Sequence, residues 1–391
     1  MRPLSGLTVV SLEQAIAAPY ATRQLADLGA RVIKVERPGT GDFARAYDTR
    51  VNGLSSHFVW VNRNKESLTL DIKDPRGMDA LRGLLAGADV FVQNLAPGSA
   101  ARAGLGFEAL REEHPRLIVC DISGYGADGP YADRKAYDLM VQSESGLLSV
   151  TGTAEEMAKA GIPVSDIAAG AHAASSVLAA LLERGRTGRG SHVDVSMLEA
   201  TVEWMGFPLH YTYDGAEPPP RAGAAHATIY PYGPFVAGDG KVVMMCVQNE
   251  REWAAFCDRF LGRAELADHP DYASNAARDA HREALGEIVS GRFAELTGTE
   301  AVELLAAVPV ASARVNTLDE VWHHPQLAAR GRWHEVGTPA GPVPSLAPPG
   351  PVTEAPRMDP VPALGEHTRA ILGELGLTDG EIDTLVAQGV A

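Results

Sequence analysis

Short apolar runs alternate with longer amphipathic stretches through the first half of the chain. The runs are rich in Val, Ile and Leu, which favours strands buried on both faces. The stretches between them repeat apolar residues at helical spacing. The predicted strands are Leu7–Leu12, Arg31–Glu36, Ser67–Ile72, Asp89–Gln93 and Leu117–Ile122, and the predicted helices are Pro19–Leu28, Pro75–Leu85 and Phe107–His114. This alternation predicts an α/β fold whose large domain is Rossmann-like, with a parallel sheet.

The pattern changes near Asp214, where a Pro- and Gly-rich run begins. Residues 214–225 are interpreted as a linker between a large domain at 1–213 and a small α+β domain at 226–330. The elements predicted for the small domain are strands Ile229–Val236 and Lys241–Val247 and helices Glu250–Phe260, Ala280–Leu296 and Thr299–Ala306.

Residues 331–391 are expected to return to the large domain. The Pro-rich stretch from Thr338 to Pro362 is predicted to be extended over the surface. Two C-terminal helices follow and are expected to pack on the large domain. The second of them begins with a capping box formed by Thr378 and Glu381.

Acidic residues outnumber basic ones: the 391 residues include 50 Asp and Glu against 34 Lys and Arg, a formal net charge of −16. Such a surface disfavours nucleic acid and anionic membranes, so neither is expected as a partner. Cys120, Cys246 and Cys257 are too scattered for a zinc site or a disulfide framework. With no signal peptide or membrane span in the pattern, a cytoplasmic protein with reduced thiols is expected.

Sequence motifs for several common chemistries are missing. No Gly-x-Gly-x-x-Gly follows a predicted strand, which argues against a dinucleotide-dependent oxidoreductase. No Walker loop and no Gly-x-Ser-x-Gly elbow occur either. The histidines are scattered, so no metal is expected, and because the glycine fingerprint is missing no redox cofactor is expected either.

One carboxylate stands at the start of the longest apolar helix. The turn at Gly161–Asp166 contains Pro163 and delivers Asp166 to the helix N-terminus, which has unpaired N–H groups and partial positive charge. The simplest interpretation is that Ser165 or Asp166 is the N-cap of this helix. The same setting suits an ionised carboxylate that acts as a nucleophile.

A set of sequence blocks follows a fixed order along nearly the whole chain. The longest block runs from Gln14 to Asp42. The others are Asn64–Lys73, Gln93–Gly98, Gly124–Tyr131, Tyr137–Asp138 and Thr187–Met197. Each block is short, but the ordered set resembles the family III (CaiB/BaiF-type) CoA-transferases. The resemblance implies an enzyme that transfers coenzyme A between acids, and a homodimer of two interlocked, ring-shaped subunits.

The resemblance also assigns roles to individual residues. Asp166 stands at the position of the family's catalytic aspartate, whose role it would share. The residues implied to hold CoA or to flank the reacting thioester are Ile16, Ala17, Arg37, Leu70, Lys73, Asn94, Leu95, Arg102, Lys135, Tyr137 and Met197. Their cations suit the phosphates of CoA. The alternatives are solvated surface charges for the cations and a turn residue for Asn94.

Two segments bear on the substrate. Family members that racemise 2-methylacyl-CoA thioesters have a His–Asp step where this chain has Tyr137 and Asp138, and Tyr is a poor base near neutral pH. The loop with Arg221 and His226 is more similar to that of members acting on C4–C5 dicarboxylates such as succinate, mesaconate, citramalate or itaconate. Candidate substrate-binding residues are therefore Gln14, Asp138, Arg221 and His226. The alternatives are a hinge-side surface residue for Arg221 and a turn residue for His226.

The predicted reaction moves CoA from succinyl-CoA or another dicarboxylyl-CoA to a carboxylic acid acceptor. It proceeds through mixed anhydrides and an aspartyl-CoA thioester on Asp166. CoA enters as part of the acyl-CoA substrate. A 2-methylacyl-CoA racemase and a non-catalytic CoA-binding protein of the same fold are the alternatives.

Overall fold

The computed structural model of the protein describes residues 1–350 and 355–391. The chain divides into two compact units. Unit 1 comprises Met1–Gly146, Ala160–Gly206 and Gln326–Ala391, and unit 2 comprises Leu147–Lys159 and Phe207–Pro325. The linker predicted at 214–225 lies within unit 2, which also includes residues 147–159 that the sequence analysis assigned to the large domain.

The secondary structure follows the chain in this order. The strands are β1 (Thr8–Leu12), β2 (Arg31–Glu36), β3 (Lys65–Thr69), β4 (Val90–Gln93), β5 (Ile118–Ser123), β6 (His192–Ser196), β7 (Tyr232–Val236), β8 (Val242–Cys246), β9 (Ala311–Arg314), β10 (Trp333–Val336) and β11 (Val343–Leu346). The helices are α1 (Ala17–Asp27), α2 (Ser56–Val61), α3 (Pro75–Ala86), α4 (Ser99–Arg102), α5 (Phe107–Glu113), α6 (Asp138–Glu144), α7 (Leu147–Val150), α8 (Val164–Thr187), α9 (Met197–Trp204), α10 (Gly206–Tyr211), α11 (Glu250–Phe256), α12 (Asn275–Ala280), α13 (Arg282–Ala294), α14 (Gly298–Ala306), α15 (Leu318–Trp322), α16 (Pro325–Ala329), α17 (Thr368–Glu374) and α18 (Asp379–Ala387). Short 3-10 segments lie at Phe43–Ala46, Tyr213–Gly215 and Ala264–Leu266, and a π-helical segment lies at Cys257–Leu261.

Unit 1 is built on a parallel sheet. Within the described residues, its six strands lie in the order β3-β2-β1-β4-β5-β6. This is the doubly wound order, so the predicted α/β class is confirmed. Strand β6 was not predicted, because the polar residues His192, Asp194 and Ser196 alternate with apolar ones along this edge strand.

Strand β3 lies earlier in the chain than the predicted strand Ser67–Ile72. It begins at Lys65, which pairs with Val32 of β2 and is buried. The Lys65 ammonium lies 2.6 Å from the Glu13 carboxylate. The prediction missed the start of β3 because a charged residue does not fit the apolar pattern of a buried strand. Lys65 can occupy this position because its charge is paired with Glu13.

Successive strand residues pack into two separate cores, one on each face of the sheet. On β1, Val9 packs with α1 and α8, whereas Val10 packs with α3, α17 and α18. Helix α8 is the one helix in the described ranges with the length and hydropathy of a membrane span, and 44% of that stretch is buried in the fold. The packing of α8 against α1 in the first core therefore explains why this helix is so apolar.

Unit 2 contains a three-stranded antiparallel sheet in the order β7-β8-β9 among its described residues. Its core includes the stacked rings of Phe235 and Phe293, with Trp253 nearby.

In unit 1, β10 and β11 form an antiparallel hairpin that packs against α2. The stretch from Thr338 to Pro362 therefore includes a strand, although its residues 351–354 lie outside the described ranges. The capping box of Thr378 and Glu381 at α18 is confirmed.

Candidate active site

The predicted CoA-binding residues lie beyond the carboxyl ends of the parallel strands. They are Ile16 and Ala17 after β1, Arg37 after β2, Leu70 and Lys73 after β3, Asn94, Leu95 and Arg102 after β4, Lys135 and Tyr137 after β5, and Met197 after β6. Parallel strands have their carboxyl ends at the same edge of a sheet, so the segments that follow them begin at that edge. The strand order reverses between β1 and β4, and ligands of doubly wound sheets bind at that point.

The loops after β1 and β4 are joined at this switch point. The Gln14 N–H donates to Asn94 Oδ1 at 2.9 Å, and Asn94 Nδ2 donates back to the Gln14 carbonyl at 2.9 Å. The Asn94 side chain thus ties the two loops together, and its contact with CoA stays a prediction.

Asp166 lies in the first turn of α8. The prediction that Ser165 or Asp166 is the N-cap is wrong, because the helix begins at Val164 after Pro163, which has no side-chain acceptor. The acceptor comes from α6 instead. Asp138 Oδ1 accepts the N–H groups of Ser165 and Asp166 at 2.8 and 3.2 Å. This leaves the Asp166 carboxylate free of the capping role.

The N-termini of α8 and α1 lie against each other. The backbone N–H of Ala17, the first residue of α1, acts on the Asp166 carboxyl as a hydrogen-bond donor that lowers its pKa. One turn further along α8, a Cβ on Gly170 would lie 2.6 Å from the Ala17 carbonyl oxygen. Glycine at this position therefore allows the close approach that brings Asp166 to the positive end of α1.

The surroundings of Asp166 hold its proton unusually tightly. Burial and, next, the charge of Asp138 raise its pKa to about 7, against the lowering effect of the Ala17 hydrogen bond. A carboxyl with a pKa near neutral is typical of functional sites. The carboxylate is therefore present in quantity at neutral pH and is poorly solvated, which suits a nucleophile.

Tyr47 is a neighbour that the sequence analysis missed. Burial, then the charges of Asp42 and Asp166, raise the pKa of Tyr47 to about 12, which keeps its phenol protonated. Its ring packs edge-on against His57. Nothing in its local sequence marks it, because it reaches Asp166 only through the fold.

The predicted phosphate-binding cations have exposed side chains. This holds for Arg37, Lys73, Arg102 and Lys135. Arg102 is partly engaged, since its guanidinium donates to the Pro97 carbonyl and to Ser99 Oγ.

The remaining members of the CoA set differ in exposure. Leu70 and Met197 are buried, Leu95 is half-buried with its N–H bonded to Gln93, and Tyr137 is 64% exposed. Their contacts with CoA stay predictions.

The candidate acid-binding residues Arg221 and His226 lie in unit 2, before β7. The Arg221 guanidinium donates to the backbone carbonyls of Thr153 and Ala154 at 2.7 and 2.9 Å. His226 Nδ1 accepts two backbone N–H groups of its own turn, and its ring stacks on Tyr232. Their contact with an acid substrate stays a prediction. No group of three or more metal-ligating side chains occurs in residues 1–350 and 355–391.

Known proteins are similar to this chain over nearly its whole length. The family model for CoA-transferase family III matches residues 4–368. The chain is 36% identical over 398 residues to the succinyl-CoA:glutarate CoA-transferase of Mus musculus, covering 100% of this chain and 90% of that protein. It is 35% identical over 385 residues to the succinate–glutarate CoA-transferase of Agrobacterium fabrum, covering 95% and 96%. The crystal structure of a CaiB/BaiF family protein from Brucella suis has a TM-score of 0.84 at 34% identity, covering 96% of this chain and 99% of that chain. The resemblance seen in the sequence blocks is therefore confirmed, and this enzyme belongs to CoA-transferase family III.

Proposed function

We propose that the enzyme moves CoA from succinyl-CoA or another C4–C5 dicarboxylyl-CoA to a second small carboxylic acid, with Asp166 as the covalent nucleophile. The observation that carries the role of Asp166 is its placement: a poorly solvated carboxylate meets the N-terminus of α1 at the switch point of the sheet. The names of the mouse and Agrobacterium relatives support succinyl-CoA and a dicarboxylate as substrates.

The Asp166 carboxylate attacks the thioester carbonyl, the C–S bond breaks, and CoA leaves as a thiolate. The thiolate then attacks the Asp166 carbonyl of the mixed anhydride, which releases the donor acid and leaves an aspartyl-CoA thioester. An acceptor carboxylate attacks that thioester and displaces the thiolate, giving a second anhydride. Attack of the thiolate on the acceptor carbonyl forms the product and regenerates Asp166. Each step exchanges one nucleophile for one leaving group, so no net proton is needed.

The described residues supply the electrostatics of these steps. The Ala17 N–H and the dipole of α1 act on the Asp166 carboxyl. They stabilise the negative charge on its carbonyl oxygen in the two steps in which the thiolate or the acceptor carboxylate attacks Asp166. Partial burial of Asp166 limits the access of water to the anhydride, which hydrolysis would otherwise consume.

We also propose a homodimer. Large apolar side chains along α9, α10 and the residues after them are exposed in the single chain, which favours burial by a second copy. They are Trp204, Phe207, Leu209, Tyr211 and Tyr213. Interlocking of the subunits and a cytoplasmic location stay predictions. Light scattering of the purified protein tests the dimer.

The test of the mechanism follows oxygen atoms. Succinyl-CoA is mixed with glutarate, mesaconate, itaconate or citramalate carrying ¹⁸O in the carboxylates, and new thioesters are recorded by mass spectrometry. In the proposed sequence, one acceptor oxygen stays on Asp166 after each turnover, because the anhydride breaks on the acceptor side. The peptide that contains Asp166 should therefore gain ¹⁸O. A new thioester without label in that peptide would exclude Asp166 as the covalent nucleophile.

The activity should rise with pH through the titration of Asp166. The value of kcat/KM for the acyl-CoA is expected to fall about tenfold per pH unit below a pKa of about 7, because only the ionised carboxylate attacks. Replacing Asp138 with Asn should move this acidic limb to lower pH, since the variant keeps an oxygen for the Ser165 and Asp166 N–H groups but removes the charge.

Steady-state rates of both enzymes from acidic to mildly alkaline pH check this pair of expectations. Ionisations of the substrate are common to both enzymes and cancel in their ratio. An acidic limb that stays in place in the Asp138→Asn variant would contradict the electrostatic coupling of the two carboxylates.

A further inference from the structure

The backbone that leads into α1 is fixed by side chains at three consecutive residues. Lys34 Nζ donates to the Glu13 carbonyl at 3.3 Å. The N–H and carbonyl of Gln14 are both bonded to Asn94. The Ala15 N–H donates to Asp42 Oδ1 at 3.1 Å.

Ala15 has a left-handed backbone conformation, with φ at 62°. An alanine adopts this conformation at an energetic cost, so it persists only where the surroundings impose it. The bonds from Lys34, Asn94 and Asp42 impose it here. The strained turn ends two residues later at Ala17, whose N–H meets Asp166.

Two of these fixing groups belong to a buried ion cluster, which we define as Glu13, Lys34, Asp42 and Lys65. All four side chains are buried. Lys34 Nζ lies 2.8 Å from Asp42 and 3.4 Å from Glu13, and Lys65 Nζ lies 2.6 Å from Glu13. Each charge therefore has a partner within the cluster.

A cluster of this kind is an inefficient source of stability. Removing charges from water is costly, and apolar residues of similar volume often stabilise a core equally well or better. The cluster instead supplies fixed acceptors and donors at a place where the main chain takes a strained path. Asp42 does this most directly, because its Oδ1 accepts from Ala15 while its Oδ2 pairs with Lys34.

We propose that the buried ion cluster is a positioning device: through Asp42 and the left-handed turn at Ala15, it aims the first N–H of α1 at Asp166. The inference deepens the proposed function and rests on Asp166 being the nucleophile. Asp42 and its partners do not touch the reacting atoms and act through the backbone of α1.

The first test is Asp42→Asn in the full-length enzyme. The amide keeps an oxygen for the Ala15 N–H but loses the ion pair with Lys34 that holds this oxygen in place, so the turn and the Ala17 hydrogen bond to Asp166 loosen. Since that hydrogen bond lowers the pKa of Asp166, the acidic limb of kcat/KM should move up, by at most about one to two pH units, the effect of losing one hydrogen bond to a charged acceptor entirely. At pH 7, kcat should fall several-fold while KM for the acyl-CoA stays nearly constant. The profile is measured below pH 8, because burial lowers the pKa of Lys65 to about 8.

Asp27→Asn is the matched control. Asp27 lies at the other end of α1 and is buried in a two-point ion pair with Arg63 at 2.9 and 2.7 Å. This variant breaks a buried ion pair in the same helix far from the turn. It should lower thermal stability without moving the acidic limb.

Ala15→Pro provides a second route should the buried substitution prevent folding. Proline has no N–H and cannot adopt a positive φ, so the turn is lost while all four cluster charges keep their partners. The acidic limb should move up again. Folded Asp42→Asn or Ala15→Pro protein with an unmoved limb would overturn the positioning role.

The nucleophile is tested separately by Asp166→Ala. Loss of transfer in that variant together with unmoved limbs in the turn variants would overturn the cluster's role alone. Retained transfer in Asp166→Ala would overturn the proposed function, and the positioning role with it.

Discussion

Replacing Asp166 with Asn or Ala should lower kcat for CoA transfer by about 10³-fold or more, the scale expected when a covalent nucleophile is removed. Neither replacement can form the anhydride at neutral pH, because an amide is a weak nucleophile and a methyl group is none. Binding of the acyl-CoA should persist, since the residues predicted to contact the phosphates lie in the segments after β2, β3, β4 and β5 and not on α8. Single-turnover kinetics measure the loss of transfer. Calorimetric titration with CoA measures whether binding persists.

The same substitution should make the protein more stable. The pKa of Asp166 is about 7 in the fold, well above its ordinary value of 3.8. The native state therefore holds a proton that the unfolded chain has lost, and stability falls as pH rises between these values. Asp166→Asn removes this penalty, so its gain in unfolding free energy should be larger at pH 8 than at pH 5, by about 2 kcal/mol. Urea unfolding at both pH values measures it.

An inactive variant that is less stable at pH 8 would point to misfolding, and its lost activity would then say nothing about the nucleophile. Activity close to that of the parent enzyme, in a stable protein, would remove Asp166 from the mechanism. The two measurements together separate a chemical role from a structural one.

The sheet was predictable from sequence because its strands repeat a local rule. β2 has the predicted bounds, Arg31–Glu36, since Val32, Ile33 and Val35 mark it as a strand although Lys34 and Glu36 are also buried. β3 and β6 departed from prediction because neither strand has a run of apolar residues. Polar residues occupy them, and several of these have partners elsewhere in the fold, such as Glu13 for Lys65 and Asp121 for His192.

The candidate site could be predicted only in part, because some of its contacts join residues that are distant in the chain. The Pro-containing turn before α8 marked Asp166, and the ordered blocks gave it a role. The capping prediction failed because the acceptor, Asp138, lies on α6 and meets α8 only in the fold. Tyr47 and the buried ion cluster left no local signal, since their contacts with the site cross long stretches of chain.

The contact between α1 and α8 depends on a missing side chain, so Gly170→Ala should be strongly harmful. The added Cβ would lie 2.6 Å from the Ala17 carbonyl oxygen and 3.0 Å from the Tyr20 ring. The Ala17 carbonyl is part of the α1 backbone and cannot rotate away as a side chain would, so α8 must move away from α1. Overpacking of this kind costs about 1–3 kcal/mol. A shift of Asp166 by about 1 Å would lower kcat by about 10²-fold. Thermal unfolding and steady-state kinetics measure the two effects.

Gly185→Ala is the matched control, because it makes the same substitution in the same helix where a Cβ meets nothing within 4 Å. Alanine is the better helix former by about 0.5–1 kcal/mol, so this variant should be slightly more stable and fully active. The Gly170→Ala variant should also show an acidic limb displaced to higher pH, since separation from α1 removes the Ala17 hydrogen bond that lowers the pKa of Asp166. If Gly170→Ala instead behaves like Gly185→Ala, close approach of the two helices is not what places the nucleophile.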